Sequence, residues 1–445
     1  MLTAISKYIF YPLWELKDRA TRLRTLRELE RSQWLAAEKI RKLQWEKLKA
    51  MVAYSYASCP YYRQLLDTQG ISSSIDTVEM FRRIPILTKK DIREHGERLL
   101  SIYYRKEELI EVRTGGSTGK ALRVYVDLRC QETRNAAAMR SDRWAGWDMG
   151  SMTAAIWGNP PVHRTIKSIL RNLLLDRVVY LDTMNLNAES MSAFVAILRR
   201  KQPRVIYGHS HSIFMFACFL RDNGISDIRP KGIISTSMML LEPERDVIET
   251  TFNCKVTNRY GCEEVGLIGC ECEQHRGMHI NDDHVFVEII KADGTPAKTG
   301  EEGAVVVTDL TNFGMPMIRY RVEDVGVAAE RLCPCGRGLT LIERVTGRVA
   351  DFLKRRDGSM VAGVSLVERT LTAIAGIEQM QVVQETLNDL IVYLVRDGNF
   401  SVESERQLRA EFTAVFGEAV CLTIHYVDNI PQEKSSKYRF AICRI

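Results

Sequence analysis

The sequence predicts an α/β protein in which a large, multilayered N-terminal domain carries a β-rich subdomain and is followed by a small α+β domain. Three observations carry this expectation. From about Ile110 short apolar strands alternate with amphipathic helices, the pattern of strand–helix–strand units. Between Gly277 and Ala329 the helical period disappears, and strand-like runs are separated by the turn signals Asp293-Gly294 and Thr299-Gly300. Beyond Asp351 the pattern becomes a compact mixture of both, and the boundary is placed there. The expected division is a basic helical segment over 1–57, a large domain over 58–350 and a small domain over 351–445.

In chain order, apolar residues at helical spacing (Leu26, Leu29, Leu35, Ile40, Leu43, Leu48, Val52) predict helix over 14–55, ended by Pro60. Leu122–Val126 alternates as a strand. Gln131–Trp144 reads as helix, Ala154–Trp157 and Val178–Leu181 as strands, Ala188–Arg200 as helix and Val205–Tyr207 as a strand. Val285–Ile290, Gly303–Asp309 and Val325–Ala329 are the strands of the β-rich part. In the last part, Leu366–Ala373 and Ser404–Phe416 read as helices, Met380–Glu385 and Leu390–Val395 as a hairpin, and Val420–Val427 as a strand.

The net charge is +6, and residues 1–50 supply all of it, with twelve Lys/Arg against six Asp/Glu. The remaining residues balance, which argues against a diffuse nucleic-acid-binding surface. No apolar run approaches the roughly 18 residues of a membrane span. Ile5–Leu16 is broken by Lys7, Pro12 and Glu15, and no small-residue cleavage site follows. With eleven cysteines, an odd number and mostly scattered, a reducing cytoplasm is expected.

The sharpest motif is Thr114-Gly115-Gly116-Ser117-Thr118-Gly119-Lys120, whose glycines let backbone amides approach an anion and whose hydroxyls and ammonium complete a phosphate cradle. It is not a Walker loop. From Gly115 the second glycine comes one residue early for G-x-x-x-x-G-K-S/T, Ala121 stands where the magnesium-binding hydroxyl belongs, and a strand follows instead of a helix.

The loop and four further stretches, in order, make the chain resemble the adenylate-forming acyl- and aryl-CoA synthetase superfamily, within it the phenylacetate–CoA ligase-like and CapK-like branch. Tyr260-Gly261-Cys262-Glu263-Glu264 resembles Y-G-x-x-E, and Tyr320-Arg321-Val322-Glu323-Asp324 resembles Y-R-x-x-D. Gly347-Arg348-Val349-Ala350-Asp351 resembles the hinge G-R-x-x-D, and Pro431 to Lys437 resembles P-x-x-x-x-G-K with Ser436 in place of glycine. The resemblance implies ATP-dependent activation of a small carboxylic acid as an acyl-adenylate, then transfer to an acceptor, usually the thiol of coenzyme A. It implies that Thr114, Gly115, Gly116, Ser117, Thr118, Gly119 and Lys120 hold the β- and γ-phosphates, with Thr118 among the catalytic groups. Glu264 would bind Mg2+, Tyr260 would lie against adenine, and Asp324 would receive the ribose hydroxyls. Arg321 would support Asp324 or reach phosphate, Arg348 would contact ribose or phosphate, and Lys437 would stabilise charge during adenylation. Asp351 would be the hinge of a mobile small domain. The resemblance leaves open amide or ester formation on a sugar or amino acid in polysaccharide biosynthesis, and a non-catalytic nucleotide-binding relative.

The acid pocket is expected around Tyr207–Ser212 and around Ser235–Met239, the latter replacing the family's G-G-E-P; His209, His211 and Ser237 point to a polar acid. Cys272 and His279, with Cys333 and Cys335 in Cys333-Pro334-Cys335-Gly336-Arg337, form two chain-distant pairs of the kind that bind structural zinc. His275 or Cys270 is an alternative ligand for the first pair, and a core of reduced cysteines is the other reading. The basic N-terminal start (Tyr8, Phe10, Tyr11, Trp14, then Lys17, Arg19, Arg22, Arg24) suits packing on the large domain, with a peripheral contact to an anionic membrane through residues 1–25 as a second use. A dimer is left open.

Overall fold

The computed structural model describes residues 2–71, 73–114, 122–158, 160–161, 165–329, 331–346, 352–430 and 440–445. The phosphate-loop residues Gly115–Lys120, the hinge residues Arg348 and Asp351, and Lys437 lie outside them.

One eleven-stranded sheet organises the large domain. Five strands, in the order Val178–Asp182, Thr153–Trp157, Val205–His209, Gly232–Thr236 and Val256–Cys262, run parallel. The strand Gly266–Glu271 turns back antiparallel to the last of these, and from there Met278–Ile280, Leu341–Thr346, Tyr320–Ala328, Glu302–Asp309 and Val285–Ile290 continue the sheet antiparallel. The parallel and β-rich regions expected from the sequence are therefore two halves of one sheet. The parallel strands are near-continuous apolar runs because helices such as Ala188–Lys201, Ser210–Asp222 and Glu242–Phe252 cover them. A separate hairpin pairs Ile110–Thr114 with Leu122–Val126, so the Gly115–Ala121 segment joins two antiparallel strands.

Local chemistry sets the element ends. Asp127 caps the helix Leu128–Trp144 by accepting the Cys130 N–H at 2.9 Å, and its other oxygen accepts the Phe313 and Gly314 amides. That one buried carboxylate ties the helix to the chain reversal after Glu302–Asp309.

The helix expected over 14–55 is broken into three, Tyr11–Asp18, Arg22–Ser32 and Ala37–Ser58. Arg19 at φ +51° and the extended Ala36 break the period, a local backbone choice that apolar spacing does not report. Pro60 does end a helix at Ser58, and it also begins the next one, Pro60–Thr68, at the first-turn position proline favours. The region packs on the large domain. Leu26 and Leu29 are buried against Ala136 and Ala137, and Glu15 is held by Arg22.

The small domain is a four-stranded sheet, ordered Cys421–Tyr426, Asp389–Arg396, Ile377–Gln384 and Ala441–Cys443, covered by the helices Gly363–Ala373 and Val402–Phe416. It docks on the parallel half. Met360 and Leu186 exchange backbone bonds, Ser365 meets Thr183 at 3.1 Å, and Arg355 donates to the Met184 carbonyl.

Candidate active site and metal centre

In open α/β sheets ligands bind beyond the carboxyl ends of the strands, where the strand order reverses. Here the chain runs from Thr153–Trp157 outward to Val178–Asp182, then back across to Val205–His209, so the reversal lies between Trp157 and His209. Both residues end their strands there. Trp157 stacks on Tyr207 at 5.3 Å and meets His209 in a tilted contact at 3.9 Å between ring centroids. Beside them opens a cleft of about 290 Å3, lined by Val112, Trp157, Tyr207, Ser237, Arg259 and Glu263 among others. The sequence-predicted acid pocket falls at this crevice, as do Val112, from the strand that leads into the phosphate loop, and Ser237, held at φ +64°.

His209 is fully buried, neither ring nitrogen has a hydrogen-bond partner among the described residues, and burial lowers its pKa to about 4. It is therefore neutral near pH 7, an uncharged donor and acceptor next to the cleft. His211 is committed elsewhere, paired through Nδ1 with Glu244.

Tyr260 and Asp324 are 64 residues apart in sequence, yet the Tyr260 hydroxyl donates to Asp324 Oδ2 at 3.0 Å. A bulge makes the pair. Ala304 opposes Val325 but Val306 opposes Arg321, so Val322, Glu323 and Asp324 loop out of register. Glu323 adopts φ +73°, a region that a non-glycine residue enters at a cost of about 1–3 kcal/mol, and Lys89 holds it through a 2.7 Å bond. Arg321 precedes the bulge, its side chain exposed and without a hydrogen bond among the described residues. The structure thus puts Tyr260, not Arg321, beside Asp324.

Glu264 is buried and accepts the Tyr320 hydroxyl at 3.0 Å. Arg134 fixes the turn it stands on, donating to the Glu263 and Glu264 carbonyls and, at 2.8 Å, to Asp309. Burial works to raise the Asp309 carboxyl, but Arg134 prevails and holds it below the usual range. Burial and the neighbouring Glu264 push the Glu263 carboxyl up. Arg134 carried no motif. Only its helix position facing that turn marks it, and this is not visible along the chain.

The four predicted metal ligands come together. The donor atoms of Cys272, His279, Cys333 and Cys335 all lie within 4.8 Å of one another. Cys272 Sγ is 3.6 Å from Cys333 Sγ, and Cys335 Sγ is 3.3 Å from His279 Nε2. Tetrahedral zinc with Zn–S near 2.3 Å and Zn–N near 2.0 Å has ligand–ligand edges of about 3.5–3.8 Å, so three thiolates and one imidazole at this spacing fit the ion. Two knuckle turns make the fit. The Gln274 and Arg337 amides point at Cys272 and Cys335 sulfur, and His279 Nδ1 faces the Leu339 carbonyl at 3.4 Å, leaving Nε2 for the metal. The alternatives point away: His275 pairs with Glu271, and Cys270 donates to the Glu271 carbonyl.

The fold is that of the adenylate-forming enzymes. Residues 353–444 match the model of the CapK C-terminal domain. The chain is 26% identical over 414 residues to protein CapK of Staphylococcus aureus, spanning 91% of this chain and 89% of that protein. It is 26% identical over 389 residues to the phenylacetate–coenzyme A ligase of Thermus thermophilus, spanning 86% and 83%. Among solved structures, 2-hydroxyisobutyryl-CoA ligase with 2-hydroxyisobutyryl-AMP and CoA in its thioesterification state superposes with a TM-score of 0.61 at 19% identity, over 93% of this chain and 92% of that one. No helix among the described residues is long and apolar enough to cross a membrane.

Proposed function

We propose that this protein is an AMP-forming acid–CoA ligase. The observation that carries the reading is the Tyr260–Asp324 pair, made by a strained bulge, with Tyr260 on the strand whose neighbours Arg259 and Gly261 line the crevice together with Glu263, Ser237 and Val112. Asp324 accepts the ribose hydroxyls, and Tyr260 fixes the carboxylate and covers the adenine. The Thr114–Lys120 loop holds the β- and γ-phosphates, with Arg348 on ribose or phosphate. Glu264 supplies a hard oxygen ligand for Mg2+, which when bound neutralises phosphate charge. An oxygen of the substrate carboxylate attacks the α-phosphorus and pyrophosphate leaves, with Lys437 facing the developing charge. The thiol of coenzyme A, losing its proton, then attacks the acyl carbon and AMP leaves.

Acid-dependent ATP–pyrophosphate exchange across aromatic, fatty and hydroxy acids, followed by thioester formation, tests the reading. Exchange with transfer to an amine or hydroxyl in place of coenzyme A moves it to the polysaccharide-type ligase. ATP binding with no exchange across the panel leaves a non-catalytic relative. If Asp351 is the hinge between the two half-reactions, Asp351→Pro will spare exchange and abolish thioester formation; equal loss of both counts against it.

The neutral His209 and the Trp157 and Tyr207 rings suit a small acid with one polar substituent. His209→Leu removes an unpartnered buried imidazole, so the melting temperature should hold or rise while KM for a hydroxy acid increases roughly tenfold. Thermal unfolding and exchange kinetics check this, and an unchanged KM removes His209 from the pocket.

Cys272, His279, Cys333 and Cys335 are proposed to hold a structural zinc ion. A second role, peripheral contact with an anionic membrane, is proposed for the N-terminal helices. It is supported by the exposed Leu2, Tyr8, Ile9, Leu13 and Leu16 beside Lys7, Lys17 and Arg19. Salt-sensitive binding to phosphatidylglycerol vesicles should disappear on deletion of residues 1–25; its survival would rule the contact out.

A further inference from the structure

The parallel strands have a second end. Where Thr153–Trp157, Val205–His209 and Gly232–Thr236 begin, opposite the crevice, their loops enclose a cavity of about 750 Å3. Among the described residues six cations line it (Arg177, Arg199, Lys201, Arg204, Arg229 and Lys231) against a single carboxylate, Asp227. That carboxylate is already engaged, since Arg199 grips it with bonds of 2.6 and 3.0 Å. Arg204 and Arg229 rest on the carbonyls of Gly146 and Thr251.

Arg177 is different. It is 8% exposed, its side chain has no hydrogen bond or ion pair among the described residues, and its Nε is sealed from solvent without an acceptor. Its backbone sits at φ +51°, ψ +49°, closing the turn Asn172–Asp176, a conformation glycine adopts without strain. The chain thus keeps a costlier residue at this turn, with its Nε sealed and no counter-ion beside the guanidinium among the described residues. Its terminal nitrogens are not sealed, so they can meet an anion seated in the cavity that Arg177 lines. The planar guanidinium presents paired donors that match two phosphate oxygens, while Lys201 and Lys231 at the rim add point charge.

We propose that this cavity is a phosphate-binding site, taking a phosphomonoester or pyrophosphate group on Arg177 with Lys201, Arg204 and Lys231 around it. Two sources present that chemistry: a free phosphate-bearing metabolite and the headgroup of an anionic lipid. The surroundings accommodate the lipid as well, because Thr3 of the N-terminal helices lines the cavity and the segment leading to Arg177 exposes Ile166, Ile169, Leu170 and Leu173. The site shares no residue with the adenylation machinery, so it stands or falls independently of the ligase reading.

The test uses the full chain in two arms: calorimetric titration with inorganic pyrophosphate, and co-sedimentation with phosphatidylcholine vesicles with and without phosphatidic acid, whose headgroup is a phosphomonoester. Arg177→Gly suits the backbone of that turn, Arg177→Gln keeps a polar side chain, and Lys201→Gln with Lys231→Gln changes only exposed positions. Each should weaken binding about tenfold in at least one arm, with acid-dependent pyrophosphate exchange unchanged. Pyrophosphate bound at the Gly-rich loop is common to all the proteins and cancels in the comparison. Weakening in the pyrophosphate arm alone assigns the site to a soluble phosphate, and weakening in the vesicle arm, alone or with the other, assigns it to a lipid headgroup. Equal binding by wild type and every variant in both arms overturns the proposal.

Discussion

Replacing Asp324 by alanine is expected to reduce acid-dependent ATP–pyrophosphate exchange by roughly a hundredfold or more. Two charge-assisted hydrogen bonds to ribose hydroxyls contribute about 1.5–3 kcal/mol each, and alanine removes both. Tyr260→Phe separates recognition from positioning. It deletes the 3.0 Å bond that orients the carboxylate, so exchange should fall about tenfold or less and mostly through KM for ATP. Asp324 is partly exposed, so its loss should leave the melting temperature nearly unchanged. Exchange by Asp324→Ala within about threefold of wild type would take Asp324 out of nucleotide binding.

The second large effect is on stability. Cys333→Ser should abolish stoichiometric zinc in the purified protein and lower the melting temperature by roughly 5 °C or more, because loss of a structural metal exposes an otherwise ordered loop. The four ligands come from strands and loops that are neighbours in the sheet but up to 63 residues apart, so the ion would fix the order of Gly266–Glu271, Met278–Ile280 and Leu341–Thr346. A chelator should reproduce the shift in wild type and not in Cys333→Ser. Substoichiometric zinc that the substitution does not alter would leave the cluster as reduced cysteines.

Much of this was legible along the chain. The alternation of strands and helices after Ile110 depends on local period, and the three strands expected in the parallel half, 154–157, 178–181 and 205–207, lie within two residues of their observed bounds. The clustering of Cys272, His279, Cys333 and Cys335 was legible because metal-type donors in two close pairs are expected to meet. The Tyr260–Asp324 bond was not. It depends on a register shift between two strands, and nothing in Tyr320–Asp324 announces that Glu323 will take positive φ. Nor was Arg134 or the continuity of the eleven strands. The basic cavity escaped for a different reason: its cations are spread from Arg177 to Lys231, and an average over the balanced charges of the chain beyond residue 50 erases a cluster made by folding.

The loop that carries Cys333 and Cys335 is also where the two ends of the large domain meet. Arg337 Nε and Trp144 Nε1 both donate to the Gln33 side chain, the Gly338 amide donates to the Gln33 carbonyl, and a Cβ on Gly338 would lie 2.0 Å from the Leu35 carbonyl oxygen. Gln33 and Arg337 are separated by 304 residues. At about 5–20 residues per second, a ribosome needs roughly 15–60 s to travel that distance. For all that time the turn at Gln33 lacks the loop that finally holds it, whereas Ala136 and Ala137, on which Leu26 and Leu29 rest, are made long before Arg337.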